Sequence, residues 1–360
     1  MRRLAIVVLI VAVVAAAAAV AIYVRAGAPY QGYSSAEQFV DIPPGSSTKA
    51  IGDHLVAGGV VRDPLTFRLS LLMSGQARAL KAGEYRFDHP MTPLEVIGKI
   101  ARGDVYVIAV TFPEGLTLSE MAAIAEMHGI GSAAAFSAAA KDTTAIRTID
   151  PAARSLEGYL FPETYRVNRR TDPARLVGLM VERFSHVLTP ELRRATEARG
   201  LSIHQLVTLA SLVEKETARP EERPVVAAVY LNRFRIGMAL QCDPTLIYAL
   251  QREGKYNGNL RRDDLAFDSP YNTYRYPGLP PGPIASPGKA SLEATAHPAD
   301  VDYLYFVSRN DGSHAFASSL ADHNRNVQKY QVEYFRSGGA GGAGPSGGSG
   351  RSGRSGRAER

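Results

Sequence analysis

Leu201-Ser202-Ile203-His204-Gln205-Leu206-Val207-Thr208-Leu209-Ala210-Ser211-Leu212-Val213-Glu214-Lys215-Glu216-Thr217 is the stretch on which the reading of this chain turns. At 100° per residue, Ile203, Val207 and Ala210 share one helical face, and Leu209 and Leu212 occupy another. The spacing predicts a helix that is apolar nearly all round and central to its domain. It nevertheless ends in two acids: Glu214 falls on the Ile203 face and Glu216 on the Leu209–Leu212 face. A carboxyl group held beside apolar side chains has its charged form disfavoured and its pKa raised, as a general acid near neutral pH requires. The alternative is an exposed helix end, with both acids solvated or paired to Lys215, Arg219 or Arg223.

The material after this helix is too polar and too interrupted to be plain core. A second helix runs from Pro224 to Arg233, with proline suited to its first turn. Gln241-Cys242-Asp243-Pro244-Thr245 follows, then Ser269-Pro270-Tyr271-Asn272-Thr273-Tyr274 and a Pro/Gly run from Gly278 to Gly288. Rigid turns bearing amides, acids and tyrosines suit a sugar cleft, with planar rings for pyranose faces and amides or acids for hydroxyl and acetamido groups. Each residue also has a plainer reading. Asp243 suits a helix N-cap ahead of Pro244, and Tyr271 and Tyr274 suit a core. His297 before Pro298 suits a turn, and His314 and His323 are lone histidines without ligand spacing, so a metal site is not expected, nor is a cofactor.

Upstream, residues 39–112 read as a small α+β module. Ser46, Ser47 and Thr48 offer caps for a helix bearing Ile51, Leu55 and Val56, and a second helix follows Pro64 with Leu65, Leu69 and Leu72 on one stripe. Gly83–Phe87 alternates as a strand, Thr92 caps a third helix, and Val105–Phe112 is a β-branched strand. Residues 113–200 are largely helical, with Thr117 as an N-cap. They are interrupted by Leu156-Glu157-Gly158-Tyr159-Leu160-Phe161-Pro162-Glu163-Thr164-Tyr165, a shaped loop or an aromatic-anchored turn.

Charge is concentrated at the two ends. The formal net charge is +6, yet residues 1–25 contribute +3 and residues 337–360 another +3, leaving the body between them neutral. A neutral body argues against nucleic acid as partner. Leu4 to Val24 is an unbroken apolar run of 21 residues, which as a helix spans about 31 Å, the thickness of a bilayer core. It exceeds the apolar stretch of a signal peptide, although Ala26-Gly27-Ala28 resembles a cleavage site. Arg2 and Arg3 keep the N-terminal tip in the cytoplasm and export everything after residue 25. The tail rich in Gly, Ser and Arg cannot bury a core and is expected to be disordered. The lone Cys242 excludes an intramolecular disulfide.

Six segments in series resemble the endolytic murein transglycosylase family, YceG-like, in order and spacing. They are Leu209–Thr217, Leu231–Met238, Asp243-Pro244-Thr245, Tyr271–Tyr274, Gly278–Gly282 and Ala296–Ala299. Lys81-Ala82-Gly83-Glu84-Tyr85 looks like part of a LysM-like glycan-binding module, with a plain spacer as the alternative. Cys242 departs from the family pattern, where a hydroxyl residue is common, and the tail has no counterpart.

The residue patterns and the resemblance together lead to an α+β chain in five parts. These are a cytoplasmic tip and transmembrane anchor (1–25), a linker (26–38), a LysM-like module (39–112), a mainly helical catalytic domain with short strands (113–334) and a tail (335–360). The resemblance implies a single-pass inner-membrane protein with a periplasmic body, acting on peptidoglycan and associating with peptidoglycan synthases. The implied reaction cuts the MurNAc–GlcNAc bond inside nascent strands and leaves 1,6-anhydro-MurNAc ends. The family's essential glutamate falls on Glu216, which serves as acid and then as base, unlike the two-carboxylate scheme of ordinary glycosidases. Glu214 is the rival acid. Glu157, Glu163, Asn232, Gln241, Asp243, Tyr271, Asn272 and Tyr274 are supporting or substrate-binding candidates, with Asn272 or Gln241 positioning the substrate acetamido group. A hydrolysing muramidase and a non-catalytic peptidoglycan-binding scaffold are the alternatives.

Overall fold

The computed structural model describes residues 2–336, so the tail from residue 337 lies outside the described residues. The chain divides into two compact units: residues up to Ile108 together with Arg166–Arg169, and Ala109–Tyr165 together with the chain from Arg170 onward. Sequence spacing puts the boundary at residue 112; the contacts put it four residues earlier.

The first unit opens with α1 (Arg2–Gly27). At 1.5 Å per residue its length is about 39 Å. Among the described residues no helix is long and apolar enough to cross a membrane. The span expected over Leu4–Val24 includes Leu4, Val7, Val8 and Ala15, whose side chains lie outside the described residues. Arg25 pairs with Asp63 at 3.0 Å. The chain continues as β1 (Gln38–Ile42), α2 (Thr48–Ala57), α3 (Pro64–Ser74), β2 (Gly83–Phe87) and α4 (Pro93–Arg102). β1 and β2 pair antiparallel, Val40 opposite Tyr85.

The caps explain the helix starts: Ser47 accepts from Ala50 N–H and Asp63 from Thr66 N–H, and Thr92 and Glu95 close a capping box. In α3 the expected stripe is not the buried face, although Leu69 is half-buried. Leu65 and Leu72 are exposed, whereas Phe67 and Leu71 enter the core with Val40, Leu55, Tyr85 and Ile97. Two apolar stripes compete on this helix, and the larger Phe67 takes the inside.

The second unit begins in β3 (Ile108–Thr111), which pairs with β4 (Thr164–Val167) and is shorter than the expected strand. Between them lie α5 (Leu118–Met127) and α6 (Ala133–Ala139), followed after β4 by α7 (Pro173–Val187) and α8 (Pro190–Ala198). The site is carried by α9 (Ile203–Glu216), α10 (Arg223–Arg235), α11 (Asp243–Arg252), α12 (Lys289–Ala296), the hairpin β5 (Tyr305–Ser308) and β6 (His314–Ala317), and α13 (Leu320–Val327). Every residue of α9 from Leu206 to Val213 is buried, as its apolar pattern predicts. Burial of each leucine there stabilises by about 1.5–3 kcal/mol. Leu209, Leu212 and Val213 pack with Val226, Tyr230, Leu240 and Ile284. Gly158 has φ +83°, and a Cβ there would meet Pro283 at 2.4 Å, so glycine is required where the Leu156–Tyr165 loop crosses that segment.

Candidate active site

Among the described residues of the second unit, two cavities contain candidate side chains, and α11 and the Ser269–Tyr274 turn contribute to both. The smaller, of about 340 Å³, is lined by Glu216, Arg233, Gln241, Asp243 and Tyr274, with Phe306, His314 and His323 from the C-terminal hairpin and helix. The larger, of about 840 Å³, holds Glu157, Tyr248, Tyr271 and His204, with Lys141, Arg154 and Arg252 as cations.

Glu216 is the last residue of α9. Its Oε2 accepts the Tyr230 hydroxyl at 3.0 Å and lies 3.7 Å from the Cys242 thiol. Its Oε1 has no hydrogen-bond partner among the described residues and is not sealed from solvent. Burial pushes the Glu216 carboxyl above the usual carboxylate range; the Tyr230 hydrogen bond opposes the rise and the nearby Asp243 carboxyl adds to it. One oxygen is therefore held, and the other is free to carry a proton into the cavity.

Glu214, two residues earlier, points elsewhere. It pairs with Arg223 at 3.3 Å and accepts Gly288 N–H at 3.0 Å, which ties α9 to the start of α12. It lines neither cavity.

The other candidates separate by duty. Asp243 is not the N-cap that its proline neighbour suggests. Cys242 holds that position without a side-chain bond, and Asp243, the first helical residue, accepts the Tyr274 hydroxyl at the cavity wall. Gln241 has φ +50°, a left-handed conformation uncommon for a non-glycine residue, and its side-chain amide has no partner among the described residues.

Asn272, expected beside the substrate acetamido group, is fully buried. Its amide donates to Leu265 and Phe267 carbonyls and its oxygen accepts Tyr274 N–H, so it builds the turn. Asn232 likewise donates to the carbonyls of Val301 and Tyr303, tying α10 to the strand region. Glu163 is paired with Arg183 outside both cavities. Glu157 and Tyr271 sit in the larger cavity, Tyr271 with its ring 5.0 Å from that of Tyr248.

Three residues of the smaller cavity escape the sequence reading. Arg233 is buried, and its guanidinium is spent on the carbonyls of Leu304 (2.6 Å), Leu240 (2.7 Å) and Ala239 (3.3 Å). His314 stands with Nδ1 2.6 Å from Glu222. His323 stacks on Tyr305 with ring centroids 5.1 Å apart and leaves Nδ1 buried without a partner. Burial and Arg233 push the His323 pKa down. Both histidines lie about 100 residues beyond Glu216, and no local spacing links them to it.

Comparison with known proteins places these residues in a family. The model of the YceG-like family matches residues 40–329. A protein named endolytic murein transglycosylase from Bacillus subtilis (strain 168) is 33% identical over 319 residues, covering 84% of this chain and 87% of that one. One of the same name from Streptococcus pneumoniae serotype 2 is 32% identical over 332 residues, and the match spans 60% of its length. Among solved structures, a yceG-like protein from Listeria monocytogenes aligns with a TM-score of 0.55 at 29% identity, over 81% of this chain and 99% of that one. With a family model matched over most of its length and a relative at one-third identity, the chain belongs to the YceG-like family.

Proposed function

We propose that this chain is a membrane-anchored endolytic lytic transglycosylase that cuts the MurNAc–GlcNAc bond inside nascent peptidoglycan strands and leaves 1,6-anhydro-MurNAc ends. The observation that carries the reading is the asymmetry of Glu216. One carboxyl oxygen is pinned by Tyr230, and the other opens on the cavity under conditions that raise the pKa. A carboxyl group of this kind holds a proton where an ordinary glutamate has lost it, and can pass it to a glycosidic oxygen. The C6 hydroxyl then closes on C1, with no attacking water, and gives its proton back to the protein. Gln241 and Tyr274 offer an amide and a ring for the sugar.

The anchor is the apolar run Leu4–Val24, preceded by Arg2 and Arg3, which orients the body to the periplasmic side of the inner membrane. The β1-α2-α3-β2 order of the first unit suits a LysM-like module that holds glycan close to the membrane. Cleavage at that place terminates strand elongation and brings the protein beside the peptidoglycan synthases.

The test is digestion of nascent peptidoglycan by the full chain, with strand ends weighed by mass spectrometry. Anhydro ends are expected. Reducing ends, each heavier by one water, would favour a hydrolysing muramidase, a reading to which Asp243 lends weight as a second carboxylate on the same cavity. No cleavage at all by the intact protein would leave a glycan-binding scaffold.

A further inference from the structure

His314 is the first residue of β6, and it meets Glu222 twice. Its backbone N–H donates to Glu222 Oε1 at 2.9 Å, and its Nδ1 lies 2.6 Å from Oε2, an oxygen that also takes the Thr217 hydroxyl at 3.3 Å. Burial by itself would raise the Glu222 pKa, but the hydrogen bonds from His314 outweigh it and hold the group below the usual range. Glu222 is therefore an anion and only accepts, so Nδ1 is the nitrogen that donates to it, and in the neutral ring the lone pair is on Nε2.

The ring is fixed on its other side by Phe306, edge-on at 5.3 Å. The backbone bond alone would suffice to tie β6 to the start of α10. The ring bond does something further, because it leaves Nε2 unpartnered and open in the wall of the Glu216 cavity. A carboxylate that orients a histidine so that its second nitrogen faces a reacting group is the arrangement of a general base.

Resting on the transglycosylase reading of Glu216, the geometry points to His314 as the base that accepts the C6 hydroxyl proton, with Glu222 as its positioning residue. Glu216 gives its Oε1 proton to the glycosidic oxygen, which leaves with the C1–O electron pair. The C6 oxygen then forms its bond to C1, and its proton passes to His314 Nε2. The cycle leaves a Glu216 carboxylate and a His314 imidazolium in one cavity, and after product release the proton returns from Nε2 to Glu216. No water, oxidant or reductant is consumed. Glu216 thereby needs only to donate, and the acid and base roles fall to two groups.

The other titratable and charged groups on this cavity are Asp243, Arg233, Tyr274 and His323, with Tyr230 and Cys242 behind Glu216. Since Glu216 must be protonated to donate, kcat/KM falls on the alkaline side as that carboxyl ionises.

The experiment measures release of anhydro ends by the full chain across pH for the parent, His314→Asn and Glu222→Gln. His314→Asn is expected to keep the donor toward Glu222 while removing the base, lowering kcat about 100-fold or more with KM within about twofold. Glu222→Gln, which preserves packing, is expected to lower kcat about tenfold with KM within about twofold, a split that loosened packing alone would not give. Glycan binding by His314→Asn at parental affinity establishes that it is folded. The proposal is overturned if His314→Asn retains kcat within about threefold while the parent still makes anhydro ends. A parent that makes no anhydro ends overturns the underlying reading of Glu216 along with it.

Discussion

The two cavities of the second unit each contain a glutamate whose pKa is raised by burial, and they use it differently. In the larger cavity Glu157 is pushed up to about 7, yet Oε1 accepts Leu118 N–H at 2.8 Å and Oε2 accepts the Tyr248 hydroxyl at 3.0 Å. Both oxygens are occupied, and the residue ties the start of α5 to α11. In the smaller cavity Glu216 is held through one oxygen and presents the other. Neither cavity size nor a raised pKa identifies the acid; what separates the two residues is an uncommitted oxygen facing the space where a substrate can lie.

The sharpest way to break this contrast is to neutralise each acid in turn. Glu216→Gln is expected to lose about 1,000-fold in cleavage rate and Glu157→Gln no more than about threefold, both followed as chromatographic release of anhydro-muropeptides. A comparable loss in both would place the chemistry across the two cavities.

Next in size is Tyr230→Phe, which removes the hydroxyl that holds Glu216 Oε2 and lowers its pKa. Cleavage is expected to fall about tenfold at neutral pH through lost orientation. The alkaline limb of the pH profile moves upward, since an opposing influence on the Glu216 pKa is gone.

Glu157 has its largest effect on stability. Its folded pKa of about 7 lies above the usual 4.5, so the folded state binds the proton more tightly than the unfolded one. The stability it gives is complete below pH 4.5 and is lost as pH rises through 7, about 3 kcal/mol over that window. Denaturant titrations of Glu157→Gln should show that slope flattened. The smallest effect is expected of Cys242→Ser. Its hydroxyl replaces a weak thiol donor 3.7 Å from Glu216, and the rate should stay within about twofold of the parent.

Much of the frame was legible in the sequence because its signals are local. Thr92 with Glu95 and Thr117 with Glu120 close capping boxes three residues apart, and α9 is apolar on every face and buried. What local pattern could not decide was direction. Tyr271 and Tyr274 share one turn, yet line different cavities. Asn232 and Asn272 have the chemistry of sugar ligands, but their amides serve backbone carbonyls, and a sequence does not distinguish the two uses. Leu65 and Leu72 lost the core to Phe67 by volume. His314, with no spacing to mark it, enters the site only because the β5–β6 hairpin brings it to the cavity that Glu216 lines.

The central claim is that Glu216 keeps its proton beyond the pH at which an ordinary glutamate has lost it, and the most direct measurement is a carbon-13 NMR titration of its carboxyl group in the full chain, assigned by comparison with Glu216→Gln. The account predicts a midpoint clearly above the ordinary value of 4.5, rising further in Tyr230→Phe. A midpoint at or below 4.5 would contradict it.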